Sequence, residues 1–332
     1  MITIIDVAKA ANVSKSTVSR VVSNNGYVKK ETRNKILSVI DELGYTPNNL
    51  ARNFRKNKTY TIGFIVSRFV RLFGEFIEKF ISIAEEHHYE VIIFCTDGDA
   101  QKEIDYLNLL KFKEVDAIFI LTKVNSWESI KEYTKYGPIA TWHRTTISSI
   151  YSSYVDHSLI YQDLLAYFFE AQITDIGFIL NCEKSANTKA VLNVLKKQQE
   201  HYWCFFCQEQ ESFGEKAARA YLQLKKPPKH LVFYADYVAG NFLHCLPNDY
   251  QQNLQIISLD NNIISKLLRL TSIDLDLNTQ VYNSFSYIYN RLNERNNLEK
   301  KLPILKIVER DSFSFDKKLH SQMKTLLITE EL

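Results

Sequence analysis

A chain of 332 residues, 45% hydrophobic and 24% charged, is long enough for two or three domains with ample cores and excludes a disordered or low-complexity protein. No uninterrupted apolar run approaches 18 residues and no charged-then-apolar leader stands at the start, so neither a membrane span nor a secretion signal is expected and the expected location is cytoplasmic. The formal charge of +3 is unevenly placed: residues 1–60 hold eleven Lys/Arg against four Asp/Glu, a net of +7, which leaves −4 for residues 61–332. A basic end on a mildly acidic protein is the electrostatic footprint of a small DNA-binding domain joined to something else.

Residues 3–22 carry two amphipathic runs on either side of a tight break. Ile4, Val7, Ala8 and Ala11 recur at helical spacing, and Val18, Val21 and Val22 do so again. Between them Asn12 suits the left-handed conformation that ends a helix, and Ser14 suits the N-cap of the next. Two short helices joined this way form a helix-turn-helix, in which Ala8 and Ala11 permit a close crossing. Lys15, Ser16, Ser19 and Arg20 point outward from the second helix, where such donors reach base edges and phosphates in a major groove. Any small helical hairpin shares this spacing and cap, so the rest of the chain has to decide.

Ser23-Asn24-Asn25-Gly26 reads as a loop. Residues 30–43 read as a third helix with Ile36, Leu37, Ile40 and Leu43 inward and Gly44 as its stop, completing an all-α headpiece over residues 1–46. Residues 47–59 begin with a helix-start signal at Pro47 and Asn48 and end basic and polar. They are too short and polar to be a stable helix alone, and read as a plain linker or as a DNA-contacting hinge built on Phe54.

From Tyr60 the pattern changes to strands alternating with helices. Strands are expected at residues 61–66, 91–96, 117–121, 139–143, 175–180, 203–207, 231–235, 255–259 and 304–308. Helices are expected at 75–87, 100–110, 160–171, 187–199 and 213–224. Such alternation implies mostly parallel sheets covered on both faces, arranged over residues 60–312 as an α/β core of two doubly wound lobes. Ligands of such folds bind outside the carboxyl ends of the strands, here between the lobes. Residues 313–332 read as a polar tail, frayed or used in oligomerisation, with one apolar cluster of Leu319, Met323, Leu326 and Leu327.

Cys95, Cys182, Cys204 and Cys207 fall in or beside apolar segments, as buried reduced thiols do, and Cys245 completes an odd set of five. Cys204-Phe205-Phe206-Cys207 has the gap of a redox or zinc motif but no second pair, so no metal site is expected. The chain has no Gly-rich phosphate loop, no Gly-x-Ser-x-Gly and no His-Glu-x-x-His, and neither an enzyme nor a cofactor is expected. A cytosolic sugar-binding module would need only the two lobes and would leave the basic headpiece without a role.

The order of parts resembles the LacI/GalR-type bacterial transcriptional regulators. The likeness rests on Asp6-Val7-Ala8-Lys9, Val13-Ser14, Ser16-Thr17-Val18-Ser19-Arg20-Val21, Thr32-Arg33, Glu42-Leu43-Gly44-Tyr45-Thr46-Pro47-Asn48 and Leu50-Ala51-Arg52, and continues through Thr61-Ile62-Gly63 and Val115-Asp116-Ala117-Ile118. Weaker fragments, Asp236-Tyr237-Val238-Ala239-Gly240 and Leu259-Asp260-Asn261 among them, extend it to about residue 312. Asn125-Ser126-Trp127-Glu128-Ser129-Ile130 and Tyr136-Gly137-Pro138 look like the catabolite control protein B branch.

The resemblance implies a periplasmic-binding-protein-like core and a homodimer whose two headpieces read a pseudo-palindromic double-stranded DNA operator. It implies that Lys15, Ser16 and Arg20 read bases, and that Thr3, Thr17 and Asn24 contact phosphates. Residues 48–56 match the family's hinge helix, with Leu50, Ala51, Phe54 and Arg55 as its minor-groove contacts. For the effector, a sugar or sugar phosphate, it points to Phe73, Trp142, Arg144, Lys189, Asp236 and Asp260. The pocket departs from the family pattern where His143-Arg144 replaces the usual Asp-Arg and where Lys189 stands near the usual Arg, so control through a protein co-regulator, or with no effector, stays open. The function implied is repression of carbohydrate or carbon-catabolite genes. Phe54 stands where the family usually places a Leu wedge, and a flat ring inserted at the central step would bend the duplex. Phe54→Ala is therefore expected to abolish tight operator binding while leaving weak, salt-sensitive nonspecific binding in a gel-shift titration.

Overall fold

The computed structural model describes residues 2–22, 26–45, 58–67, 74–197, 202–206, 213–294, 297–323 and 325–330. Two compact units appear, Met1–Thr59 and Tyr60–Leu332.

The first unit contains helices α1 (Ile4–Ala10), α2 (Lys15–Val22) and α3 (Lys30–Glu42). Asn12 adopts φ 52° after α1, with its own N–H donating to Lys9 and that of Val13 to Ala8. Gly44 does the same after α3 at φ 60°, with its N–H donating to Asp41 and that of Tyr45 to Ile40. Both are left-handed caps that satisfy the last carbonyls of a helix. Val7, Ala8, Ala11, Val18, Val21 and Ile36 form a small core. Leu37, expected inward, is 48% exposed, because Ile36, Val39, Ile40 and Leu43 occupy the inner stripe and the next position turns away from it.

The second unit is two α/β lobes. The first holds β1 (Thr61–Val66), β2 (Glu90–Cys95), β3 (Ala117–Ile120), β4 (Ile139–Thr141) and β5 (Ile150–Ser152), all parallel in the order β2-β1-β3-β4-β5. Every residue of β1 is buried, as a central parallel strand covered on both faces requires. Its helices are α4 (Gly74–Glu86), α5 (Ala100–Lys111) and α6 (Trp127–Lys131).

The second lobe holds β6 (Ile176–Leu180), β7 (Trp203–Phe206), β8 (His230–Phe233), β9 (Gln255–Leu259), β10 (Thr271–Asp274), β11 (Lys306–Glu309) and β12 (Leu327–Glu330), ordered β12-β11-β10-β9-β8-β6-β7. Only the β10–β11 pairing is antiparallel. Around it lie α7 (His157–Glu170), α8 (Ala186–Lys197), α9 (Phe213–Leu222), α10 (Asp236–Cys245), α11 (Asn248–Gln251) and α12 (Ile263–Leu267). Helix α13 (Leu277–Asn293) returns to the first lobe, where Val281, Phe285 and Ile288 join the core of β1 and α4. The chain therefore passes between lobes after β5, before α13 and after α13. Asp276 ties two of these passages, accepting from Thr279 at the start of α13 and from Ile304 before β11.

Strands β5, β10 and β12 and helices α6, α10, α11, α12 and α13 lay outside the expected elements. The expected buried thiols also need correction: Cys95 is exposed at the end of edge strand β2, Cys182 and Cys204 are half-buried, and Cys207 lies outside the described residues.

The expected tail is part of the second lobe. β12 pairs with β11, while Met323 and Leu326 enter the core beside Phe313 and Phe315. The buried Asp163 carboxylate on α7 accepts the backbone N–H groups of Thr325 at 2.6 Å and Leu326 at 3.0 Å. Removing it strands two buried donors. Asp163→Ala is expected to lower stability by about 2–4 kcal/mol, seen as an earlier urea midpoint, with the loss confined to the core unit.

Candidate functional site

On the headpiece, α2 presents Lys15, Ser16 and Arg20 as exposed side chains. Ser14 caps the helix, its Oγ accepting from the Thr17 N–H at 3.2 Å and pairing with Thr17 Oγ1 at 2.8 Å and Ser16 Oγ at 2.7 Å. This hydroxyl cluster orders the first turn and leaves Lys15 and Arg20 as its long reaching cations. Thr3 is placed differently from expectation. Its hydroxyl donates to Asp6 Oδ2 at 2.7 Å and its N–H to the same oxygen at 2.9 Å, holding the Asp6 carboxyl below the usual range. In this structure the Thr3 hydroxyl proton is thus engaged within the capping box of α1. Tyr27, outside the expected set, is 87% exposed beside the same helix pair. Asn24, Leu50, Ala51, Phe54 and Arg55 lie outside the described residues, as does Phe73.

In the core, the expected ligand residues separate into distinct roles. Asp236 has no exposed surface and opens α10. Its carboxylate accepts from Ser258 Oγ at 2.5 Å, Ser272 Oγ at 2.6 Å and the Asn262 N–H at 2.8 Å. Burial pushes its pKa up, against the pull of these hydrogen bonds. Asp236 is thus a fastener joining α10, β9, β10 and the loop before α12, and its oxygens are not open to a ligand.

That loop carries Asp260 and Asn261 at φ 108° and 51°, conformations costly for residues with a side chain. The Asp260 N–H donates to Ile273, and the Asn261 N–H to Ser272 Oγ. Asn261 also bridges Asp274 and Arg310 through its amide. What the loop delivers is the Asp260 side chain, which water reaches although protein mass surrounds it, as at the floor of a cleft. Desolvation first, then the charges of Asp236 and Glu75, raise its carboxyl well above the usual range. Glu75 belongs to α4 of the first lobe, so charges from both lobes act on Asp260.

Trp142 and Arg144 follow β4 at its carboxyl end. Trp142 is half-buried and packs edge-on against Phe76 at 5.1 Å, so core packing occupies part of its ring. Arg144 pairs with Asp156 at 3.9 Å and lies over Tyr154 at 5.4 Å, which ties it to the passage between lobes. An exposed pair at that distance contributes little to stability. Lys189 is exposed on α8. Near it, Asn187 holds a buried amide oxygen with no hydrogen-bond partner among the described residues, a feature with no signature in sequence.

His143 and His157, also near these strand ends, are neutral. Burial pulls each pKa down to about 4, against a hydrogen bond that the first donates to the Leu121 carbonyl and the Asp156 charge beside the second.

Residues 3–48 match the family described as bacterial regulatory proteins, lacI family, and residues 59–244 match periplasmic binding proteins and sugar binding domain of LacI family. The chain is 33% identical over 293 residues to the NTD biosynthesis operon regulator NtdR of Bacillus subtilis, spanning 83% of this chain and 88% of that relative. It is 29% identical over 287 residues to catabolite control protein B of the same organism, spanning 83% and 91%. Its fold matches the lac repressor dimer bound to operator and the anti-inducer ONPF with a TM-score of 0.80 at 17% identity, over 94% of this chain and 98% of that one. A LacI family regulator from Lactobacillus casei with bound sucrose matches with a TM-score of 0.67 at 18% identity, over 76% and 99%.

A helix-turn-helix headpiece on a two-lobed binding core defines a DNA-binding transcriptional regulator, as the relatives are, and not an enzyme. The chain belongs to the lacI family of bacterial regulatory proteins. No helix among the described residues is long and apolar enough to cross a membrane.

The histidines make the core acid-sensitive. An imidazole depressed to about 4 binds its proton first in the unfolded chain, so stability is lost as pH falls from 6.5 toward 4. The raised carboxyls of Glu103, Asp236 and Asp260 act in the opposite sense, so the two contributions are separated by substitution. Between pH 7 and pH 4 the wild-type protein is expected to lose on the order of 3 kcal/mol more than His157→Gln in urea unfolding.

Proposed function

We propose that the chain represses carbohydrate or carbon-catabolite genes by binding a pseudo-palindromic operator as a homodimer, with a sugar or sugar phosphate in the inter-lobe cleft setting its affinity for DNA. The observation that carries the effector half is Asp260: a carboxyl held in strained backbone by the buried Asp236 network, reachable by solvent and facing the other lobe. Strain maintained by a satisfied buried network is characteristic of a binding site, and a carboxyl at that place suits sugar hydroxyls. The match of residues 59–244 to periplasmic binding proteins and sugar binding domain of LacI family supports the ligand class. In the DNA half, Lys15, Ser16 and Arg20 read bases and Thr17 sets the register, while residues 48–56 supply the hinge contacts.

A second copy has a surface to meet. Ile263 is 62%, Leu267 71% and Leu268 47% exposed on and just after α12, an apolar row that suits contact with a second copy. Control by a protein co-regulator remains the second reading, favoured by the departure of His143-Arg144 and Lys189 from the family's ligand pattern.

Genome-wide mapping of bound sites supplies the operator, and a panel of sugars and sugar phosphates then supplies the effector. Asp260→Ala is expected to keep operator affinity within about twofold and to abolish the effector's influence on it, because the substitution removes the proposed ligand contact and, from the fold, one hydrogen bond with the Asp236 backbone. A response to effector that survives in Asp260→Ala would rule the cleft carboxyl out of ligand binding. A wild-type protein indifferent to every sugar would favour the protein partner.

A further inference from the structure

Residues 297–304 carry the chain from α13 back toward β11, and among the described residues no backbone–backbone hydrogen bond holds them. Side chains along α13 hold them instead. Asn290 Oδ1 accepts the N–H groups of Asn297 and Leu298, both at 3.1 Å, and its amide donates to the Leu298 carbonyl at 2.8 Å. The buried Asn283 accepts the Lys301 N–H at 2.8 Å and donates to the Lys301 carbonyl at 2.7 Å. Asp276, which caps the helix, accepts the Ile304 N–H at 3.0 Å.

The spacing on the two sides agrees. Positions 276, 283 and 290 are seven apart, which keeps them on one stripe of the helix at intervals of about 10 Å. Positions 298, 301 and 304 are three apart, and an extended chain also covers about 10 Å in three residues. The returning segment therefore lies along α13 as an extended strap, clamped at equal intervals. Leu298 packs against the first lobe's core, and Leu305, the residue after the last clamp, is buried in that of the second. The other passages between the lobes are fastened to the same helix. The Ser284 hydroxyl donates to that of Ser153 at 2.8 Å, just ahead of α7, and Asp276 turns at φ 52° where the chain enters α13.

We infer that the strap is a built-in restraint on lobe movement. Asn283 and Asn290 are positioning residues that bind residues 297–304 to the first lobe and confine the bend of this passage to Ile304–Leu305, beside the turn at Asp276. An unheld segment of this length would let the lobes swing widely, because each free residue adds two soft dihedrals. Clamped to α13, it moves with the first lobe, and two of the passages pivot about one carboxylate. Closure of the cleft then becomes a hinge rotation about a fixed place rather than a drift of two tethered bodies.

The test uses full-length protein. In hydrogen exchange resolved to single residues, the wild-type amides of Leu298, Lys301 and Ile304 are expected to exchange slowly. Those of Glu299, Lys300 and Leu302, which have no partner among the described residues, should exchange fast. Fast exchange at all six positions would overturn the inference without any variant. Asn283→Ala removes the middle clamp, and a strap that acts as a unit should then exchange at least about tenfold faster at Leu298 and Ile304 as well as at Lys301. A change at Lys301 alone would mean separate bonds and no strap.

Lobe freedom is read from the distance between spin labels on ketone-bearing residues placed at Glu132 and Lys216, exposed positions of the first and second lobe. Labelled chains are diluted in unlabelled ones, so that only distances within one chain count. The double variant Asn283→Ala with Asn290→Ala is expected to widen the distance distribution at least about twofold. Ile288→Val, which loosens the same lobe's core without touching the strap, should leave it as in the wild type. A distribution unchanged in the double variant, or widened equally by Ile288→Val, would overturn the inference.

Discussion

The Asp236 carboxylate sits in the interior with two serine hydroxyls and one backbone N–H directed at it, each from a different element. Burying a charge without such donors costs far more than a domain's margin of stability, and with them the group becomes a rigid joint. Strand β9 ends at this joint, β10 passes beside it and the loop toward α12 starts from it. Because the loop's N–H groups are held at Ile273, Ser272 and Asp236, Asp260 and Asn261 stay in left-handed backbone that they would otherwise leave. The backbone that presents Asp260 thus depends on one carboxylate that is itself never exposed.

The headpiece is built on the opposite principle. Its core holds few buried side chains, too few to impose helix directions by packing alone. Local caps do much of that work: the left-handed turns at Asn12 and Gly44 and the Ser14 hydroxyl cluster end or start each helix at a defined residue. Each contributes about 1 kcal/mol. The result is a recognition helix fixed at its first turn with long cations free to reach outward, and the small core sets no limit on which bases those cations meet.

Between the lobes the chain crosses more than once, so their relative placement is constrained by several strands of backbone rather than one linker. Helix α13 completes the first lobe although it follows most of the second in sequence, and Asp276 fastens its start to the segment returning to β11.

Much of what local periodicity and local capping govern was legible in the sequence, although α10 and the 17-residue α13 were not read from it. The helix-turn-helix, with Asn12 and Ser14 at its break, and the strand–helix alternation of both lobes follow from the spacing of apolar residues and the few conformations that Asn, Gly and Ser favour. The exposed cations of α2 were legible for the same reason. Only the tertiary structure decided between Asp236 and Asp260, which look alike in sequence: burial and three donors make one a fastener, and left-handed backbone aimed at the facing lobe makes the other a candidate contact. It likewise decided that residues 313–330 belong to the second lobe, since a polar segment with a few apolar residues shows no periodicity that reveals a partner strand, and β11 stands nearly twenty residues upstream of it. Such roles are set by contacts between residues distant in the chain, and a pattern that repeats every two or four residues carries no record of them.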